Sequence, residues 1–102
     1  MVRVIDEHRE ELADLCRRHY VESLYVFGSA ATGDLQKASD IDFLVEFSDD
    51  VGPRRFDNFF ELQRALAELF NRAVDLVEPG GLRNPYFIRQ VNQTREQIYA
   101  CS

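Results

Sequence analysis

Hydrophobic and polar positions along this chain switch between two periods. Over residues 3–19, Ile5, Leu12, Leu15, Cys16 and His19 recur at helical spacing with Glu and Arg on the other face, which predicts an amphipathic helix. Residues 22–27 read as a first strand, 29–34 as a short helix closed by Gly33-Asp34, and Leu35 to Ser39 as a loop. Residues 40–47 read as a second strand, apolar on both faces near its centre and so central in a sheet. Ser48 to Pro53 is turn-rich, with Pro53 suited to the first turn of a following helix. That helix, 54–71, presents Phe56, Phe59, Leu62, Leu66, Leu69 and Phe70 as its core stripe. Phe60 falls off the stripe beside Arg64 and Ala67, either as a second packing face or as a contact point for another chain. Residues 73–77 form a third strand, with Val74 and Leu76 on one face and Asp75 and Val77 on the other. Pro79-Gly80-Gly81 breaks the chain. A last helix is expected over 84–100, capped by Asn84 with Pro85 at its first position, its contacts made by Phe87, Ile88, Val91 and Ile98 with Arg95 on the same side.

This order of elements predicts an α/β (α+β) fold, a small mixed sheet flanked by helices. A length of 102 residues leads us to expect one domain, 1–102, with no room for a separate base-reading or nucleic-acid-binding domain. The formal net charge of −6 argues against general nucleic-acid binding, which needs a basic face. The N-terminal residues lack the apolar region of a signal peptide, and no run is long enough to span a membrane, so a cytoplasmic location is expected. Cys16 and Cys101 have neither a disulfide framework nor metal-type spacing, and Cys16 reads as a small buried hydrophobe. His8 and His19 read as packed or solvent-facing, since nothing nearby completes a metal site with them.

The second strand carries the chemistry. Asp40 and Asp42 stand at the start of a run that otherwise looks buried, where an ionised carboxylate without a partner is costly. Being two apart, they point to one face, while Ile41, Phe43, Val45 and Phe47 point to the other. Adjacent oxygen ligands suit a hard divalent cation. Upstream, Gly28 lets the backbone approach a ligand closely, and Ser29 offers a hydroxyl and a backbone N–H at the expected helix start, a setting that favours phosphate oxygens. Asp75 sits in a strand that is able to lie beside the second and bring a third carboxylate to the same place. Phosphates on one loop and metal on the next strand suggest phosphoryl or nucleotidyl transfer. Two cations roughly 3.5–4 Å apart would activate the attacking oxygen and stabilise the leaving pyrophosphate, and the third carboxylate would help take the proton.

Gly28-Ser29, then ten residues, then Asp40-Ile41-Asp42, resembles the signature of the DNA polymerase β-like nucleotidyltransferase superfamily. The length and the later strand Val74-Asp75-Leu76-Val77 are most similar to its minimal, MNT-type members, often encoded as antitoxins beside HEPN toxins. The resemblance spans roughly residues 20–100 and implies a polymerase β-like nucleotidyltransferase core. It implies metal ligands at Asp40, Asp42 and Asp75, catalytic roles for Asp42 and Asp75, and nucleotide binding at Gly28 and Ser29. Mg2+ or Mn2+ is the implied cofactor and ATP the implied substrate. The implied activity is transfer of AMP to a protein hydroxyl, a tyrosine of a HEPN toxin. The chain departs from the pattern at Thr32, where many relatives carry an Arg that adds charge beside the phosphates. Lys37, Arg54 and Arg55 are candidate substitutes.

Two other functions stand beside this one. A non-catalytic antitoxin would neutralise its partner by binding alone; the Asp triad weighs against it and the missing Arg for it. A small-molecule nucleotidyltransferase would need substrate-binding segments for which 102 residues leave no room.

Overall fold

The computed structural model describes residues 3–28, 40–81 and 84–100. Helices α1 (Arg3–Glu7) and α2 (Arg9–Arg18) precede strand β1 (Val21–Phe27). Strand β2 (Ile41–Phe47) leads through a 3-10 segment (Asp49–Arg54) into helix α3 (Arg55–Phe70) and strand β3 (Val74–Val77). A 3-10 turn (Pro79–Gly81), helix α4 (Pro85–Thr94) and strand β4 (Glu96–Ala100) follow. The short helix expected over 29–34 and the loop to Ser39 lie outside the described residues. The four strands make one mixed sheet in the order β3-β2-β1-β4. The β2–β3 pair is parallel, as a connection through a helix allows, and the other pairs are antiparallel. The expected α/β fold, a small mixed sheet flanked by helices, is the one the chain adopts.

One face of the sheet is closed. Leu24 and Val26 of β1, Ile41, Phe43 and Val45 of β2, and Val74 and Leu76 of β3 are buried there with Ile5, Leu12 and Cys16 of the first two helices and Leu62, Leu66 and Phe70 of α3. The alternation expected for β2 and β3 is thus realised, and β2 is central. Burial pushes the Cys16 thiol up to about 12, which keeps it a neutral apolar side chain.

Three expectations are corrected. The helix expected over 3–19 is broken at His8 (φ −115°, ψ 21°). The His8 ring packs edge-on against Phe70 at 5.5 Å, and its Nδ1 lies 2.8 Å from Glu11 Oε2. On α3 the inward row is Asn58, Leu62, Leu66 and Phe70, at strict fourfold spacing. Phe56, expected in that row, is 74% exposed, because it lies about half a turn from Asn58 in the first turn. Asn58 is accommodated because its Nδ2 donates to the His19 carbonyl at 2.6 Å, where α2 ends. Phe60 is exposed, off the stripe as expected.

The largest correction is at the C-terminal end. The helix expected over 84–100 stops at Thr94, and Arg95 turns to extended geometry (φ −62°, ψ 139°). Residues Glu96–Ala100 then pair antiparallel with β1. The β1 edge would otherwise present unpaired N–H and C=O groups, and a hydrogen-bonded strand with Ile98 turned into the main core satisfies both. The helix start is as expected: Asn84 Oδ1 accepts from the Tyr86 N–H at 3.0 Å, with Pro85 in first place. Among the described residues no helix is long and apolar enough to cross a membrane.

Candidate active site

The other face of the sheet is only partly covered. Phe27, Leu44 and Val91 are buried together there, with Tyr25 and Val77 packed against them. Val91 belongs to α4, so this helix roofs the centre of the face. Beyond its cover, at the C-terminal end of β1 and the N-terminal ends of β2 and β3, stand the acids. Asp42 is paired with Phe27 on one side and with Asp75 on the other. The parallel register therefore places Asp42 and Asp75 on adjacent strands at the same level and on the same face. Asp40, just before β2, and Asp75 are exposed, and Asp42 is half-buried.

The position has an electrostatic cost. The Asp42 carboxyl is pushed up to about 6, first by burial, then by the negative charges of Asp75 and Asp40, with a hydrogen bond to Asp75 that favours its protonated form. Asp40 thus acts on Asp42 through charge while Asp75 contacts it. Among the described residues, no three or more His, Cys, Asp or Glu side chains already converge as a metal centre. The donor set nevertheless fits a hard divalent cation: it is all carboxylate oxygen, and it is short of positive charge at the buried member.

Gly28 explains why a glycine stands after β1. It has φ +70°, and a Cβ placed on it would lie 2.9 Å from Asp42 Oδ2. Any side chain would be strained and would push into the carboxylate. Its N–H donates to Thr94 Oγ1 at 3.0 Å. The backbone therefore closes over Asp42 at this point. Ser29, the other expected nucleotide contact, lies outside the described residues, as do Thr32 and Lys37. Arg55 is engaged elsewhere: Nη2 and Nε donate to Glu78 Oε1 at 2.6 and 3.2 Å, beyond the C-terminal end of β3 and away from the acids. Arg54 lines a cavity with Arg18, His19 and Asn58 at the end of α2. Both lie at the opposite end of the sheet from the acids.

Two residues beside the site were not expected there. Thr94 meets Gly28 across 66 positions of sequence. The Arg95 guanidinium lies over the Tyr25 ring, 4.9 Å from its centroid. The sequence pattern sets Arg95 on the apolar side of a continuous last helix; the end of α4 at Thr94 and the pairing of 96–100 with β1 bring both residues here.

The family described as polymerase beta, nucleotidyltransferase, matches residues 10–102. A protein adenylyltransferase of Thermococcus cleftensis, MntA, is 32% identical over 81 residues, covering 79% of this chain and 76% of its own length. A Methanocaldococcus jannaschii protein, provisionally named a protein adenylyltransferase, is 35% identical over 91 residues, covering 81% of this chain and 90% of its own length. Among solved structures, a chain provisionally named a minimal nucleotidyltransferase superposes with a TM-score of 0.75 at 33% identity, covering 94% of this chain and 95% of that one. A chain of a toxin–antitoxin crystal structure with AMP-PNP superposes with a TM-score of 0.69 at 25% identity, covering 92% of this chain and 74% of that one. The acids at one end of the sheet and the glycine turn above them thus sit in a shared fold, and this chain belongs to the polymerase beta nucleotidyltransferase family.

Proposed function

We propose that this nucleotidyltransferase moves AMP from ATP to a protein hydroxyl, a tyrosine of a HEPN-type toxin, and so acts as a cytoplasmic antitoxin. The observation that carries the reading is the pairing of Asp42 with Asp75 on adjacent strands, directly under the Gly28 turn. A relative named as a protein adenylyltransferase and a matched toxin–antitoxin structure with AMP-PNP support the donor and the class of acceptor. The tyrosine and the HEPN partner rest on the resemblance of the Gly28-Ser29 and Asp40-Ile41-Asp42 motifs.

Asp40, Asp42 and Asp75 would hold Mg2+ or Mn2+, which when bound supplies the positive charge that activates the attacking oxygen and steadies the departing pyrophosphate. Burial and the charges of Asp75 and Asp40 push the Asp42 carboxyl up to about 6, and a bound cation would offset those charges and favour its ionised form. Gly28, with Ser29, lets the triphosphate approach Asp42 without a side chain between. The acceptor oxygen attacks the α-phosphorus, the bond to the pyrophosphate breaks, and the acceptor proton passes to a carboxylate. Asp75, the exposed member of the strand pair, is the acceptor for that proton.

A second reading, neutralisation by contact alone, is favoured by Thr32 standing where many relatives carry Arg. Incubation with the partner toxin, ATP and Mg2+ decides between them. The partner should gain one or more AMP units on tyrosine in intact-mass and peptide spectra, and Asp40→Asn with Asp42→Asn should abolish the gain and the neutralisation together. A double variant that still neutralises fully, with no mass change on the partner, establishes contact as the mechanism.

A further inference from the structure

Thr94 is the last residue of α4, and its hydroxyl oxygen accepts the Gly28 N–H at 3.0 Å. Gly28 is held at φ +70° with its Cα so near Asp42 that a Cβ would fall 2.9 Å from Oδ2. On the Asp42 side the glycine already stands against the carboxylate, so the place of the turn and the place of that carboxylate are linked. One turn before Thr94, Val91 is buried against Phe27 and Leu44. One residue after it, the Arg95 N–H donates to the Val91 carbonyl at 2.8 Å and the Arg95 guanidinium lies over Tyr25. The end of α4 is therefore fixed to the sheet on both sides of Thr94, and Thr94 transmits that fixed position to the glycine.

We infer that Thr94 is a positioning residue for the nucleoside triphosphate: its hydroxyl sets the Gly28 turn over Asp42 before the nucleotide arrives. The inference rests on nucleotide transfer at this site and names a residue that none of the motifs contains. A turn ordered in advance spares the ligand the cost of ordering it. Loss of the hydroxyl should weaken nucleotide binding while leaving the carboxylates and the chemical step in place.

The test compares Thr94→Val, which keeps the shape, with Thr94→Ser, which keeps the hydroxyl, in the full chain. Removing one such hydrogen bond should raise the KM for ATP, and the Kd for AMP-PNP with Mg2+, about five- to tenfold in Thr94→Val. The kcat should change less than about twofold, since the Thr94 hydroxyl acts through the Gly28 backbone. Thr94→Ser should behave as wild type. The Gly28 amide should exchange with solvent faster in Thr94→Val and not in Thr94→Ser. Where Thr94→Val does not fold, Thr94→Ala against Thr94→Ser reads the same hydroxyl. Unchanged AMP-PNP affinity in a folded Thr94→Val protein, unchanged Gly28 exchange, or equal losses in the Ser and Val variants each overturn the inference. Wild-type protein that binds AMP-PNP but transfers no AMP overturns the proposed activity instead, and Thr94 is then judged on affinity and exchange alone.

Discussion

The two faces of the sheet are built by the same strands and do opposite things. In β2 the odd positions Ile41, Phe43 and Val45 enter a core closed by α2 and α3, while on the other face Leu44 is buried with Phe27 and with Val91 of α4, and Asp42 is left beside Asp75. In β3 the phase is reversed in number but not in space, with Val74 and Leu76 closed in and Asp75 open. A period of two lets one strand carry stability on one side and chemistry on the other, so that the acids can be destabilising without unfolding the chain. The cost is local: burial and like charge push the Asp42 carboxyl up to about 6.

The contrast predicts that neighbouring substitutions fail in different ways. Asp42→Asn should reduce AMP transfer by at least about a thousandfold in steady-state assays, since both a proposed metal ligand and an acid–base partner of Asp75 are lost. Its metal-free unfolding free energy should equal or exceed that of wild type, because a repulsive charge is removed. Phe43→Ala, one residue away on the closed face, should cost about 3–5 kcal/mol in urea unfolding, much of a small domain's whole stability. A destabilised but active Asp42→Asn protein would erase the division between the faces.

Gly28→Ala should show a smaller, mixed effect. Its φ of +70° and the 2.9 Å approach to Asp42 Oδ2 add strain, about 1–2 kcal/mol from the backbone alone by chemical denaturation. Transfer should fall more than stability, because the added methyl pushes on Asp42. In an Asp42→Ala background the steric part should vanish and the backbone part persist. An equal cost in both backgrounds would show that the glycine serves only its φ.

The contrast also sets a pH dependence. The folded Asp42 pKa of about 6 lies above its ordinary value of 3.8, so the folded state binds this proton more tightly than the unfolded chain. Its contribution to stability is fully present below about pH 4 and is lost as pH rises through about 6. Denaturation in the presence of a chelator should show that decline between pH 4 and 6.5 in wild type and a flatter profile in Asp42→Asn. Parallel profiles would mean that the titration belongs to another group.

The closed face and the acid pair were legible because each depends on one local pattern. The alternation in 41–47 and in 74–77 assigns every side chain to a face, and Asp40, Asp42 and Asp75 stand out as charges in apolar runs. What was not legible depends on distant partners. Nothing within 84–100 says that the helix must stop at Thr94; the reason lies on the β1 edge, which Glu96–Ala100 completes. The one local hint is Ile98-Tyr99, adjacent β-formers late in a weak helical stripe. Phe56 fits the stripe by residue type, yet Asn58 holds the inward position because the α2 end offers it the His19 carbonyl. Thr94 was invisible for the same reason as β4, since its partner Gly28 lies 66 positions away in sequence.

We propose that Asp40, Asp42 and Asp75 on the open face take a divalent cation together with a nucleotide. Thermal melting in a Mg2+ or Mn2+ titration, with and without AMP-PNP, tests it directly, because a ligand that binds only the folded state raises its melting temperature. Wild type should melt higher with either cation and higher again with nucleotide, while Asp40→Asn with Asp42→Asn should show neither shift. No shift in wild type at concentrations that fill a weak site, or an equal shift in the double variant, would contradict the claim.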